Sequence, residues 1–147
     1  MRIARDGSWY HEGAPIRRPE LVRLFSRVLR READGRYVLV TPGEMLDIDV
    51  EDKPFVAVEL ASERTGQART LAFRLNVGEP VIAGPDHPIT VETAADGPRP
   101  MLHVRGGLDA RIDRPVYYEL AALALEEGGD PPGLWSDGAF FRMDGQA

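Results

Sequence analysis

A faint internal repeat constrains the fold of this chain more than any other feature of its sequence. Six residues recur at a constant offset of 96 positions. They are Ala14, Ile16, Arg18, Pro19, Leu24 and Leu29 in the first copy, and Ala110, Ile112, Arg114, Pro115, Leu120 and Leu125 in the second. In both copies an Arg-Pro step opens an apolar run with helical spacing, and proline is favoured in the first turn of a helix. A repeat at a fixed offset indicates related structural units. We therefore expect a seam between two units, where a ligand can bind.

The composition fits a folded domain that needs no covalent cross-links. Of the 147 residues, 43% are hydrophobic, which is enough for a core, and cysteine is absent. Disulfides, thiolate metal sites and cysteine nucleophiles are thereby excluded. No apolar run is long enough to span a membrane, and no hydrophobic stretch follows Arg2 and Arg5, so we expect neither a membrane span nor a signal peptide. These observations predict a cytoplasmic location.

The charge of the chain bears on the class of its partner. The formal net charge of −6 argues against a DNA or RNA partner. Lys53 is the only lysine, and every other cation is arginine, whose planar fork suits carboxylates and phosphates. This usage favours anion recognition, and it equally fits the composition of a protein from a GC-rich genome.

The pattern of short strands and two helices predicts an α+β fold with two related antiparallel β units, each carrying one main helix. The first helix is expected to start at Pro19, to pack with apolar residues from Leu21 to Leu29 and to end at Asp34-Gly35. The second helix is expected to start at Pro115 and to be more buried, because its residues are apolar almost all round. We predict an N-terminal unit of residues 1–50 and a β-rich C-terminal unit of residues 51–147, which ends in a helix and a hairpin.

The two Arg-Pro steps are candidate anion sites. The N-terminus of a helix has free N–H groups and a partial positive charge. Arg18 and Arg114 stand there, and each can grip a phosphate with two hydrogen bonds. Alternatively, each arginine holds the chain in place by pairing with a nearby carboxylate such as Asp113.

Other candidate contacts lie near the expected seam. His11 and His103 each precede an Arg-Pro step, and both can serve a shared cleft as hydrogen-bond donors or titrating groups. Neither histidine has the spacing of a metal ligand, and the sequence contains no glycine pattern of a nucleotide-binding loop, so no metal or cofactor is predicted. The remaining candidates are polar turn residues and aromatic residues suited to stacking on a base: Thr41, Asn76, Arg105, Trp9 and Tyr117.

Eight short segments, taken together, resemble a bacterial family of unknown function that is found mainly in proteobacteria. They are GSWYHEG at 7–13, RPELVRLF at 18–25, VTPGE at 40–44, VEDKPFV at 50–56, NVG at 76–78, HVRGGL at 103–108, RPVYYEL at 114–120 and WSDGAFF at 135–141. The resemblance covers nearly the whole chain. It implies a duplicated core, a C-terminal domain superficially similar to pleckstrin-homology folds, and a pocket at the domain interface for a nucleotide-like ligand. It also implies a role in signalling or stress response, and it brings no catalytic residues with it.

Three hypotheses of function follow. The first is a cytoplasmic ligand-binding or regulatory protein that binds a nucleotide-like ligand between its two units. The second is a small hydrolase or transferase that uses a histidine with a carboxylate such as Glu12 or Asp52. The third is a protein-interaction module without a small ligand, in which the apolar second helix forms the seam of a homodimer.

Overall fold

Two six-stranded sheets form the frame of the molecule in a computed structural model that describes residues 1–145. The strands of the first sheet are β1 (Arg2–Ile3), β2 (Trp9–His11), β3 (Ala14–Pro15), β4 (Leu29–Arg31), β5 (Tyr37–Thr41) and β6 (Glu44–Val50), in the order β3–β2–β1–β6–β5–β4. Those of the second sheet are β7 (Phe55–Glu63), β8 (Thr70–Leu75), β9 (Val81–Ile82), β10 (Ile89–Ala94), β11 (Gly97–Arg105) and β12 (Leu108–Ile112), in the order β10–β11–β12–β7–β8–β9.

Two α-helices, a short 3-10 helix and a hairpin complete the described fold. The α-helices are α1 (Pro19–Arg27) and α2 (Arg114–Glu127), the 3-10 helix is Gly66–Ala68, and the hairpin joins β13 (Gly133–Ser136) to β14 (Ala139–Arg142). Each sheet therefore belongs to a unit with one main helix, and the predicted α+β fold of two related units is confirmed.

Each sheet also contains one parallel pair, which the antiparallel prediction did not include. Arg2 of β1 lies beside Asp49 of β6, and Phe55 of β7 lies beside Ala110 of β12, both in parallel register. Parallel neighbours need a long crossover connection. Here the crossover comprises nearly all of the intervening unit, so turn signals between adjacent strands do not reveal it.

The sequence repeat corresponds to one order of elements, hairpin–helix–hairpin, in both units. The burial of the repeated residues differs between the copies. Leu24 is 53% exposed whereas Leu120 is fully buried; conversely, Leu29 is buried on β4 whereas Leu125 on α2 is 73% exposed. The repeat thus predicts the order of elements but does not mark equivalent core positions.

The first helix is shorter than predicted. It ends at Arg27, and the next residues form β4, so Asp34-Gly35 lies in the turn between β4 and β5. Leu29 pairs with Leu39 across these strands and is 1% exposed. Burial of Leu29 in the sheet outweighs the local helical spacing, because tertiary packing overrides intrinsic propensity.

The second helix is more buried than the first, but not all round as predicted. Val116, Leu120 and Ala124, spaced four residues apart, are buried on one side. Tyr118 and Leu125 on the other side are 58% and 73% exposed. α2 therefore has one core-facing stripe and one outer face that carries apolar side chains.

One hydrophobic core runs through both units. It includes Ile3 and Trp9 from the first unit and Phe55, Leu102 and Leu120 from the second. Residues 51–54 connect β6 to β7. Because the core is shared, the division of the chain after residue 50 stays a prediction.

Candidate functional site

A long cleft lies where the two units meet, between α1 and the turn that joins β8 to β9. It consists of two neighbouring cavities of about 870 and 490 Å³, which share Arg23, Leu75, Val77 and Gly78 among their lining residues. We call this cleft the α1 groove. Each of the two cavities is in the size range of pockets that hold small organic ligands, roughly 300–1,000 Å³.

The helix α1 turns its charged side towards this groove. Phe25 stacks on Trp9 with ring centroids 6.3 Å apart, which holds the apolar side of α1 against the first sheet. Arg23 and Arg27 are one turn apart, share a helix face and both line the groove. Within residues 1–145, no side-chain hydrogen bond or ion pair holds either guanidinium group.

The α1 groove carries an excess of positive charge. Its charged lining residues are the arginines Arg17, Arg23, Arg27, Arg64, Arg74 and Arg105, with the carboxylates Glu79 and Asp137. Arg74 is paired with Glu59 at 3.2 Å, so part of this charge is compensated. The groove still opposes the net charge of −6 of the whole chain. Because clefts focus the field of like charges, the groove attracts anions.

An apolar wall faces the arginines of α1. Val77, Pro80, Val81 and Ile82 line the larger cavity, and Ile82 is 48% exposed. A ligand that combines an anionic end with a flat apolar end can therefore use both sides of the α1 groove.

Two of the predicted binding residues, Asn76 and Trp9, line the smaller cavity of the groove. Asn76 also joins the units: its Oδ1 accepts a hydrogen bond from the Val56 N–H (2.9 Å), and its Nδ2 donates to the Gly7 carbonyl (3.2 Å). Trp9 is 2% exposed, and its buried indole N–H has no hydrogen-bond partner within residues 1–145. Asn76, which we predicted only as a polar turn residue, thus has the structural role of connecting the two units, and it is not one of the residues with a positive φ.

Arg105, a third predicted residue, lines the larger cavity. Its Nη2 donates to the carbonyls of Ser26 (2.8 Å) and Leu29 (3.3 Å), at the end of α1. The guanidinium also lies 5.8 Å above the ring of Phe55. A residue of the second unit therefore satisfies the Ser26 carbonyl at the C-terminus of α1 and also binds the start of β4.

A second, smaller cavity of about 130 Å³ contains two further predicted residues, Arg114 and Tyr117. It lies between residues 52–53 of the connection and the start of α2, and we call it the linker pocket. The Tyr117 hydroxyl donates to the Met143 carbonyl at 2.7 Å, and burial raises the pKa of Tyr117 above its ordinary value. A hydrogen bond with Tyr118 raises the pKa of Arg114.

The other predicted residues of the first unit lie outside the α1 groove and the linker pocket. His11 is exposed on β2 with its Nε2 4.0 Å from Glu12, and Arg18 is exposed at the N-cap of α1. Thr41 is exposed at the end of β5, where its hydroxyl lies 3.5 Å from the Glu44 carbonyl. The structure therefore does not bring His11, Arg18 and Thr41 together with the other candidates.

His103 forms a pair with a carboxylate that we did not predict. Its Nδ1 lies 2.9 Å from Asp109 Oδ1, and the two residues face each other across β11 and β12. Both side chains are partly buried, with 31% and 26% exposure. Neither residue lines the α1 groove or the linker pocket.

The reasoning from sequence missed Arg23, Arg27 and Lys53 as site residues. Arg23 and Arg27 lie on the polar side of an amphipathic helix, which usually faces solvent; here the second unit faces it across the groove. Lys53 stands out in the sequence as the only lysine, but no sequence pattern indicates that it lies near Arg114.

Within residues 1–145, no group of three or more His, Asp or Glu side chains is arranged to hold a metal ion. Neither described helix has the length and apolarity to cross a membrane.

Comparison with known proteins identifies relatives over nearly the whole chain. The family model for the N-terminal domain of DUF1285, a domain of unknown function, matches residues 1–53, and that for the C-terminal domain matches residues 54–143. A crystal structure of a DUF1285 family protein from Silicibacter pomeroyi DSS-3 is 47% identical, covers 97% of this chain and 78% of its own, and has a TM-score of 0.87. A DUF1285 family protein from Shewanella baltica OS155 is 25% identical, with 80% and 87% coverage and a TM-score of 0.61. No curated protein matches the chain.

Proposed function

The chain belongs to the DUF1285 family, and we propose that it binds a nucleotide-like ligand in the α1 groove. The observation that carries this proposal is the pair of arginines, Arg23 and Arg27, that face an apolar wall across the seam of the two units. Guanidinium groups bind phosphate with paired hydrogen bonds, and neither of these two has another partner within the described residues. The phosphates lie against α1, and the base packs against Val77 and Ile82.

The proposed site has a regulatory character. Both units contribute to it, and Arg105 and Asn76 connect the units beside it. A ligand bound between two units favours the arrangement in which both contact it. A protein of this kind can act in the cytoplasm in signalling or stress response, where its arrangement responds to the concentration of a nucleotide-like compound.

Calorimetric titration of the full chain with a panel of nucleotides tests this proposal. We expect at least one nucleotide to bind, and we expect Arg23→Gln and Arg27→Gln each to weaken binding about tenfold, since charged hydrogen bonds contribute roughly 1.5–3 kcal/mol. Arg30→Gln is the matched control, because Arg30 is exposed on β4 and lines neither cavity of the groove. Absence of binding by every nucleotide, or equal affinity in the Arg23 and Arg27 variants, overturns the proposal.

One observation favours the hypothesis of a hydrolase or transferase: the His103–Asp109 pair. It involves neither of the carboxylates that we suggested, Glu12 and Asp52. A histidine oriented by a carboxylate is a recurring arrangement in general-base catalysis. Asp109→Asn tests it against a panel of phosphoester and ester substrates: loss of a measurable activity supports it, and absence of activity in the parent protein refutes it.

A further inference from the structure

The linker pocket combines residues from both units around a small, partly open cavity. Its cationic lining residues are Arg5, Lys53, Arg99, Arg111 and Arg114, and its acidic ones are Asp52, Glu92 and Asp96. None of these residues lines the α1 groove, so the linker pocket is a separate site.

Each carboxylate of the pocket already stands beside an arginine. Asp52 lies 3.8 Å from Arg111, Asp96 lies 3.7 Å from Arg99, and Glu92 faces Arg99 across β10 and β11. The negative charges of the pocket are thus balanced mainly by Arg99 and Arg111.

The remaining cations form no ion pair with a carboxylate in the part of the chain that the structure describes. Lys53 is partly buried, and its ammonium group has neither an ion pair nor a side-chain hydrogen bond there. The guanidinium of Arg5 is likewise unpaired, but Arg5 is exposed. Arg114 is also exposed; the phenol of Tyr118 is its hydrogen-bond partner, and Asp96 adds an electrostatic attraction. Because the charge of Lys53 is partly removed from water without a partner, a counter-ion beside it offsets the cost of this burial.

Arg111 holds the pocket in shape. Its Nη1 donates to Asp113 at 3.0 Å, and its Nη2 donates to the carbonyl of Arg5 at 3.2 Å. The residues on either side of the pocket are therefore fixed to each other before any ligand binds. Arg114, the first residue of α2, lines the pocket, and the N-terminus of a helix carries a partial positive charge.

The size of the linker pocket defines the class of ligand. A cavity needs roughly 10–15 Å³ to hold one water molecule, whereas pockets for drug-sized ligands have about 300–1,000 Å³. At about 130 Å³ the linker pocket has room for a small polyatomic ion and is smaller than the pockets that enclose drug-sized ligands.

We propose that the linker pocket binds a small oxyanion of the phosphate class through Lys53 and Arg114. The bound ion connects the residues between the sheets with the start of α2. Its presence therefore stabilises the contact between the two units independently of a ligand in the α1 groove.

Because Lys53 is the only lysine, its reactivity reports directly on the site. The full chain is treated with an amine-acylating reagent at constant ionic strength, in inorganic phosphate or in chloride, and modification is followed by peptide mass spectrometry. We expect saturating phosphate to slow acylation of Lys53 at least tenfold, and acylation of the α-amino group of the chain to be unchanged. Equal protection of both amines, or of neither, overturns the proposal.

Variants locate the ion. Calorimetry with inorganic phosphate is expected to show at least tenfold weaker binding in Lys53→Gln and Arg114→Gln, and unchanged binding in Arg30→Gln. Arg23→Gln separates this site from the α1 groove: loss of phosphate binding in that variant, with Lys53→Gln unaffected, overturns the proposal and leaves the proposed nucleotide site intact. Thermal denaturation checks that each variant is folded, and the acylation assay on unmodified protein remains decisive if one is not.

Discussion

The two copies of the repeat provide a matched pair of leucines for a test of the structure. Leu24 and Leu120 occupy the same repeat position on a helix, but Leu24 is 53% exposed and Leu120 is fully buried. Replacing a buried leucine by alanine removes its transfer free energy and leaves a cavity, at a cost of about 2–5 kcal/mol. Away from the core, substitutions usually change stability by about 0.5 kcal/mol or less. Alanine favours the helix slightly over leucine at both positions, so this small gain cancels in the comparison.

We therefore expect Leu120→Ala to lower the free energy of unfolding by about 3 kcal/mol and Leu24→Ala by less than about 0.5 kcal/mol. Urea denaturation followed by far-UV circular dichroism measures both values. With a denaturant slope of roughly 2 kcal/mol/M, the midpoint of Leu120→Ala shifts down by about 1.5 M. Equal destabilisation by the two variants would refute the reasoning, because it would mean that the copies bury the repeat position alike.

Two further predictions concern polar groups of the second unit. Ser136 is fully buried; its hydroxyl accepts from the Leu71 N–H and donates to the Ala83 carbonyl. We expect Ser136→Ala to leave both groups without this partner and to lower the free energy of unfolding by about 2–3 kcal/mol in urea denaturation. A decrease below about 0.5 kcal/mol would contradict this. The hydrogen bond from Arg69 lowers the pKa of Glu127 below its ordinary value. The ionised Glu127 therefore stabilises the fold at any pH above the ordinary pKa of a glutamate, and this stabilisation is lost as the pH falls through the lowered pKa of the folded state. The difference in stability between the parent protein and Glu127→Gln should therefore shrink as the pH falls through this range, and a difference independent of pH would contradict the assignment.

Local signals predicted most elements of the fold. Gly138 in the Asp-Gly turn between β13 and β14 has a positive φ of 82°, which such turns require. Pro19 stands at the start of α1 as expected. Features that depend on distant parts of the chain were not predictable. The strand assignment of Leu29 depends on Leu39, and each parallel pair joins the first and the last strand of its sheet in chain order.

The candidate site was predictable only as a location at the seam. Trp9, Asn76 and Arg105 do lie at the α1 groove, but hydrogen bonds that hold the units together already use Asn76 and Arg105. Such bonds cannot be inferred from the sequence, because they join residues of different units. For the same reason, the sequence alone could not show that the exposed Arg23 and Arg27 line a cavity together with residues of the second unit.

The parallel pairing of β7 with β12 has a consequence for the order of events during synthesis. β1 acquires its parallel neighbour when β6 emerges, so the first sheet can close early. β7 and β8 can form a hairpin soon after, but the other edge of β7 stays open until β12 has been made. At roughly 5–20 residues per second this interval lasts about 3–10 s. An unpaired strand edge is a template for association with other chains, so the nascent protein is most vulnerable to aggregation between the synthesis of β7 and that of β12.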